Sequence, residues 1–257
     1  MRKLIMMLFF VLFLLPLSVS AAKPEDWEPP AKDGTYDVPG KPDLKVRVFV
    51  HKDKDVNPAK GQPNNPWTCS FGDLEMYLTI PREVWKLPST WTYRLNPGTV
   101  PSTVGGGNLS TFVRRGFDSW QTASGNKVVL AQGANTTVNN KGYDGKNIIA
   151  WSPLASGTLA TAYLWYNTTT KLLVESDIIM NKNVYWTLSN KINCAYLNSY
   201  DAENIMTHEQ GHWFGLDDVY DSVYRYGTMF GYGYRGEVLK NTLSTGDKAG
   251  VYAIYNP

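Results

Sequence analysis

Histidine is scarce in this chain, at three in 257 residues, and cysteine is scarcer at two. Two thiols exclude a small scaffold stapled by many disulfides. Neither sign of charge dominates: with Arg2 and Lys3 set aside, 23 basic residues face 23 acidic ones. So balanced a chain has no general attraction for nucleic acid or acidic lipid, and neither is expected as a partner. Long apolar runs are also missing. The single run, residues 4–17, contains Pro16 and falls short of the roughly 20 residues a membrane helix needs.

What that run does resemble is an export signal. Arg2 and Lys3 precede it, and small residues ending at Ala21 and Ala22 follow it. Residues 1–21 are therefore expected to be a signal peptide, and the mature protein a secreted, extracellular monomer with no membrane attachment after cleavage. An uncleaved N-terminal anchor is the competing reading. In an oxidising compartment Cys69 and Cys194 are expected to form one disulfide. In the chain-entropy model a loop of that length gains on the order of 4 to 5 kcal/mol. The rival is a Cys69 thiolate that caps a metal, which the availability of Cys194 disfavours.

Eight of the fifteen prolines fall between Pro24 and Pro66. Residues 22–86 thus read as a proline-rich extension, a propeptide-like arm or a small adhesive module, and only Val46, Val48 and Val50 alternate as a strand would. Beyond it the texture becomes that of a folded domain, residues 87–257. A strand is expected at 91–95, and then a helix on which Leu109, Phe112, Val113, Phe117 and Trp120 share a face, capped by Asn108 or Ser110. Strands follow at 147–151, 159–166 and 172–181. A second helix begins at Ser199 or Asp201, and a third spans 244–255 with Ser244 and Asp247 at capping-box spacing.

Within the second helix the sequence reads THEQGHWFGLDD. His208 and His212 are four residues apart, which stacks both imidazoles on one helical face where they can share a metal ion. Glu209 is rotated by about 100 degrees from His208, which suits it to a metal-activated water rather than to ligation. Zinc would make that water acidic, and the carboxylate would carry its proton to a leaving amine. Gly215 can end the helix and turn the chain back, which brings Asp218 round as third ligand. The remaining histidine, His51, lies in the proline-rich arm, so a His2Asp set is favoured over three histidines.

H-E-x-x-H-x-x-G-x-x-D followed by Met229 in YGTMFGYG resembles a metzincin zinc peptidase with its Met-turn. The tail LSTGDKAGVYAIYN is similar to the C-terminal helix of the matrixin branch. WTYRLNPGTVPS, LATAYLWYN and ESDIIMNKNVYW are similar to its opening strand, edge strand and following strand. The resemblance implies an α+β, zincin-like fold: a twisted, mostly parallel sheet with an antiparallel edge strand, packed on an N-terminal-side helix, the active-site helix, the Met-turn and a C-terminal helix. It implies a zinc endopeptidase with one catalytic Zn2+ on His208, His212 and Asp218, Glu209 as general base, and Met229 as an apolar floor. Leu159, Ala160, Thr161, Ala162 and Tyr163 would bind a protein or peptide substrate by strand addition.

Three departures from the branch shape the expectations. An anionic third ligand makes the bound water less acidic, so the activity optimum is expected at or above neutral pH. Thr161 and Ile179 stand where the branch places histidines of a second zinc, so about one zinc per chain is expected. No thiol latency motif is present, and WTCSFGD around Cys69 is a poor substitute. Tyr232 or Tyr234 could stabilise the tetrahedral intermediate or line the cleft. Asp177, Asn181 and Asp217 could contribute oxygen ligands to calcium, although isolated carboxylates on strands and loops are more often solvated or capping. Asn108, Asn135 and Asn167 begin glycosylation sequons and imply surface positions. A catalytically inactive binding protein of the same fold is the alternative function, disfavoured by the intact glutamate and ligand set.

Overall fold

The computed structural model describes residues 27–54, 85–189 and 198–257. The expected signal peptide and both cysteines lie outside them. Ten strands and three helices order the described residues: β1 (Gly34–Val38), β2 (Lys41–Asp53), β3 (Thr90–Leu95), α1 (Leu109–Ala123), β4 (Val129–Gln132), β5 (Ile148–Ser152), β6 (Thr158–Asn167), β7 (Leu173–Asn181), β8 (Trp186–Thr187), β9 (Tyr200–Asp201), α2 (Ala202–Trp213), β10 (Tyr232–Gly233) and α3 (Thr245–Tyr255). The fold class is α+β. A mixed sheet runs in the order β1-β2-β6-β7-β5-β3-β4, with β10 added beside β2. Its β7-β5, β5-β3, β3-β4 and β10-β2 pairings are parallel; β1-β2, β2-β6 and β6-β7 are antiparallel.

One expectation is corrected by the topology. The strand containing Leu159, Ala160, Thr161, Ala162 and Tyr163 is antiparallel to its neighbours as expected, but it is not at the edge. β2 of the proline-rich extension pairs with β6 over its whole length, from Leu44 opposite Asn167 to Lys52 opposite Thr158. The cause is legible in β2 itself. Leu44, Val46, Val48 and Val50 fall on one face of the strand and join an apolar cluster with Ile148, Ala150, Tyr163, Trp165 and Ile179. The arm therefore contributes two strands to the sheet.

The opposite face of the sheet carries the larger core, on which α1 and α2 lie. The apolar stripe of α1 is buried at Leu109, Phe112, Val113, Phe117 and Trp120. Gly116 allows close approach to α2, since a Cβ there would collide with the Gln210 amide oxygen. Trp120 Nε1 then donates to the Thr207 carbonyl at 2.8 Å, and Gln210 Nε2 to the Val113 carbonyl at 2.9 Å. Asp201 caps α2 by accepting from the Asn204 amide, and Ser244 with Asp247 closes a full capping box on α3.

Candidate metal centre

Helix α2 ends where its chemistry begins. Gly215 has φ +100°, and a Cβ there would stand 2.8 Å from the Trp85 carbonyl, so only glycine fits this return. The Leu216 amide bonds back to the Gly211 carbonyl, and the chain then carries Asp218 to the two imidazoles' Nε2 atoms. Asp218 Oδ1 lies 3.1 Å from His208 Nε2 and 3.7 Å from His212 Nε2. All three ligand atoms are within 4.8 Å of one another.

The outer nitrogen of each ring fixes its tautomer. His208 Nδ1 stands 2.6 Å from the Thr228 carbonyl and His212 Nδ1 2.9 Å from the Leu216 carbonyl. A carbonyl can only accept, so each Nδ1 carries the proton and donates. Burial lowers the pKa of both rings to about 3, which leaves each Nε2 as a bare lone pair. Those lone pairs face the Asp218 carboxyl, whose own pKa burial raises. His208 Nε2, His212 Nε2 and Asp218 Oδ1 have no hydrogen-bond partner, though all are buried. Three converging acceptors repel one another unless a proton or a metal cation sits among them. The set could hold a metal ion.

No protein-family model matches the sequence, and no curated protein matches it significantly. The chemistry of the centre is thus carried by its own residues.

Two further segments hold the ligands in place. Tyr220 donates its hydroxyl to Asp218 Oδ2 at 3.1 Å, and the Val219 amide and carbonyl pair with Met229 and Gly231. Met229 is fully buried beneath α2, against Gly211, where a Cβ would collide with its sulfur. The turn bearing Met229 is itself anchored: Thr228 donates its amide to Asp247 and its hydroxyl to the Thr242 carbonyl. The cap of α3 and the brace of His208 thus share one carboxylate.

Glu209 is fully buried, with neither carboxyl oxygen hydrogen-bonded. Burial, with the Asp218 charge next, pushes its pKa well above the ordinary carboxylate value. His51 brings Nδ1 to 3.2 Å from Glu209 Oε1 and sets its ring edgewise on His208, with centroids 4.0 Å apart. Burial first, then His208 and the charge of Lys240, which is itself paired with Glu237 at 2.9 Å, lower the tendency of His51 to hold a proton.

The expected site residues have different fates. His208, His212 and Asp218 converge, with Glu209 adjacent and Met229 below. Thr161 and Ile179 sit opposite each other in the β6-β7 register. The three calcium candidates do not meet. Asp177 accepts from the Gly142 and Ile148 amides, Asn181 bridges Leu154 and Thr158, and Asp217 faces Arg47 at 3.4 Å. Tyr232 pairs with β2 and packs on Tyr220 and Phe230, while Tyr234 donates its amide to Glu237. Asn108 and Asn135 are exposed, whereas Asn167 is half-buried and holds its own turn. Sequence reasoning missed Tyr220 and the role of His51; the only signal for the latter was its being the third histidine.

Proposed function

We propose that this protein is a matrixin-like metzincin, a secreted zinc-dependent endopeptidase. One observation carries the reading: two neutral imidazole nitrogens and one carboxylate oxygen, all buried and unpartnered, converge on a single point. With Zn–N and Zn–O bonds of roughly 2.0–2.1 Å, tetrahedral ligands stand about 3.3 Å apart. The observed 3.1 and 3.7 Å separations bracket that value. Nitrogen donors with one carboxylate suit zinc better than calcium or magnesium, which favour all-oxygen shells.

Bound zinc would acidify a water molecule and polarise a peptide carbonyl. The protein's residues do the rest. Thr228 and Leu216 fix the imidazole tautomers, and Tyr220 orients Asp218. Glu209, close to His208 but outside the ligand set, takes the water proton and delivers it to the departing amine. The raised proton affinity of its buried carboxyl suits that acid-base cycle.

The test compares the parent protein with Glu209→Ala on denatured casein, with and without a chelator. Hydrolysis that is stopped by chelation and at least a hundredfold lower in the variant is expected. A variant as active as the parent would remove Glu209 from the reaction.

A further inference from the structure

Lys240 is the only lysine or arginine buried among the described residues, and the hydrolytic reaction has no use for it. It lies in the turn Leu239–Asn241, between the Met229 segment and α3. Its ammonium donates to the two carboxyl oxygens of Glu237, at 2.9 and 3.0 Å, and to the Tyr232 carbonyl at 2.9 Å, so all its protons are placed. Its amide donates to the Asn204 side chain at 2.7 Å, one helical turn before His208 on α2. Such a pair is a poor source of stability. Desolvating two charges roughly cancels their attraction, and apolar residues of the same volume usually serve as well or better. What the pair holds is therefore the better guide to its role.

It holds the chain against the third ligand. The Tyr232 carbonyl follows Gly231 directly, and a Cβ at Gly231 would stand 2.6 Å from the Tyr220 ring and 2.9 Å from Asp218 Oδ1. The backbone here is the wall on which both side chains rest. The Gly231 amide donates to the carbonyl of Val219, which lies between them in sequence, at 3.0 Å. One residue on, the Tyr232 ring meets Tyr220 edge to face at 5.3 Å, and Tyr220 donates to Asp218 Oδ2. Lys240 is thus tied to α2 through Asn204 and to this wall through Tyr232, and it spans the helix that carries both imidazoles and the loop that carries Asp218. After burial, its charge is the next cause of the low pKa of His208. Left bare, that charge would oppose a bound metal cation, and Glu237 cancels it.

Resting on the metal-centre reading rather than on peptide hydrolysis, we propose that Lys240 is a positioning residue of the metal centre: neutralised by Glu237, it pins the Tyr232 carbonyl so that Gly231, Tyr232 and Tyr220 keep Asp218 beside the two imidazoles. It touches no ligand and acts through Asp218 alone.

The experiment uses the full-length protein with zinc alone as the probe. Lys240→Met is combined with Glu237→Met, so that no buried charge is left without its partner. The zinc Kd is read by competition with a colorimetric chelator at a temperature where every form is folded, and the melting temperature of the metal-free protein is read beside it. The double variant is expected to melt within about 4 °C of the parent and to bind zinc roughly tenfold more weakly or worse. Tyr220→Phe added to it is expected to weaken binding by less than about threefold further, because both changes act on the same carboxylate. Tyr232→Leu keeps the carbonyl and removes the ring from Tyr220; it is expected to weaken binding as well, and it decides the matter if the double variant does not fold. Parental zinc affinity in the folded double variant or in Tyr232→Leu overturns the proposal, as does a Tyr220→Phe loss that multiplies in full on that of the pair. A parent that holds no zinc overturns the metal centre and the proposal with it. Weakened, non-additive zinc binding with casein left intact by every form upholds Lys240 and overturns the endopeptidase reading instead.

Discussion

The Tyr220 hydroxyl determines how Asp218 presents itself. By donating to Oδ2 it leaves Oδ1 free to face the imidazoles. Tyr220→Phe is expected to weaken zinc binding by roughly ten- to a hundredfold, measured by competition with a chelator, without unfolding the protein. A second residue-scale test concerns Glu175, a buried carboxyl that accepts from the Asp144 and Gly145 amides and whose pKa burial pushes up to about 7. The folded protein binds this proton more tightly than the unfolded chain does, so the stability Glu175 confers is fully present below pH 4.5 and is lost as pH rises toward 7. Glu175→Ala should therefore destabilise most at pH 4 and progressively less up to about pH 7, with no change beyond, in denaturant titrations. A penalty independent of pH would contradict the raised affinity. His208, Glu209, His212 and Asp218 were legible in sequence because helical spacing and one glycine turn are local geometry. His51 was not, because its place depends on strand pairing across more than a hundred residues.

Helix α2 depends on a face without side chains at Gly211. Met229 and Trp120 occupy the space a Cβ would take, the indole at 2.8 Å. Gly211→Ala is expected to cost about 1–3 kcal/mol of stability and to loosen the zinc site, since Met229 and Thr228 share one turn. Thermal melting with and without added zinc would show it, and an unchanged melt would mean that the turn yields freely. The helices and central strands were readable because each carries a strong local period and, for α2 and α3, a capping residue that the structure uses at Asp201 and Ser244. The edge assignment of β6 failed for a physical reason. Residues 158–166 are buried without a break, so both faces are covered, but face burial leaves open which edges are paired, and β2 takes the outer one. Nothing local states which segment lies alongside it.

At the scale of the whole molecule, a bound metal would satisfy the unpartnered acceptors of the centre. Removing zinc should lower the melting temperature, and restoring it at a thousandfold over Kd should return about 4 kcal/mol. Calorimetry of the metal-free and loaded protein checks this, and equal melting temperatures would show that the ligand set is not satisfied by the ion. The arm's own contribution to this architecture was invisible to composition, since proline content describes its texture and only three valines disclosed the strand. The parallel planes of Phe49 and His212 also leave a trace in proton NMR. The imidazole's carbon-bound protons lie in the shielding cone of the benzene ring 3.7 Å away, so their resonances shift upfield in the folded protein and return downfield on unfolding, which makes His212 a reporter of this packing in a tube containing no substrate at all.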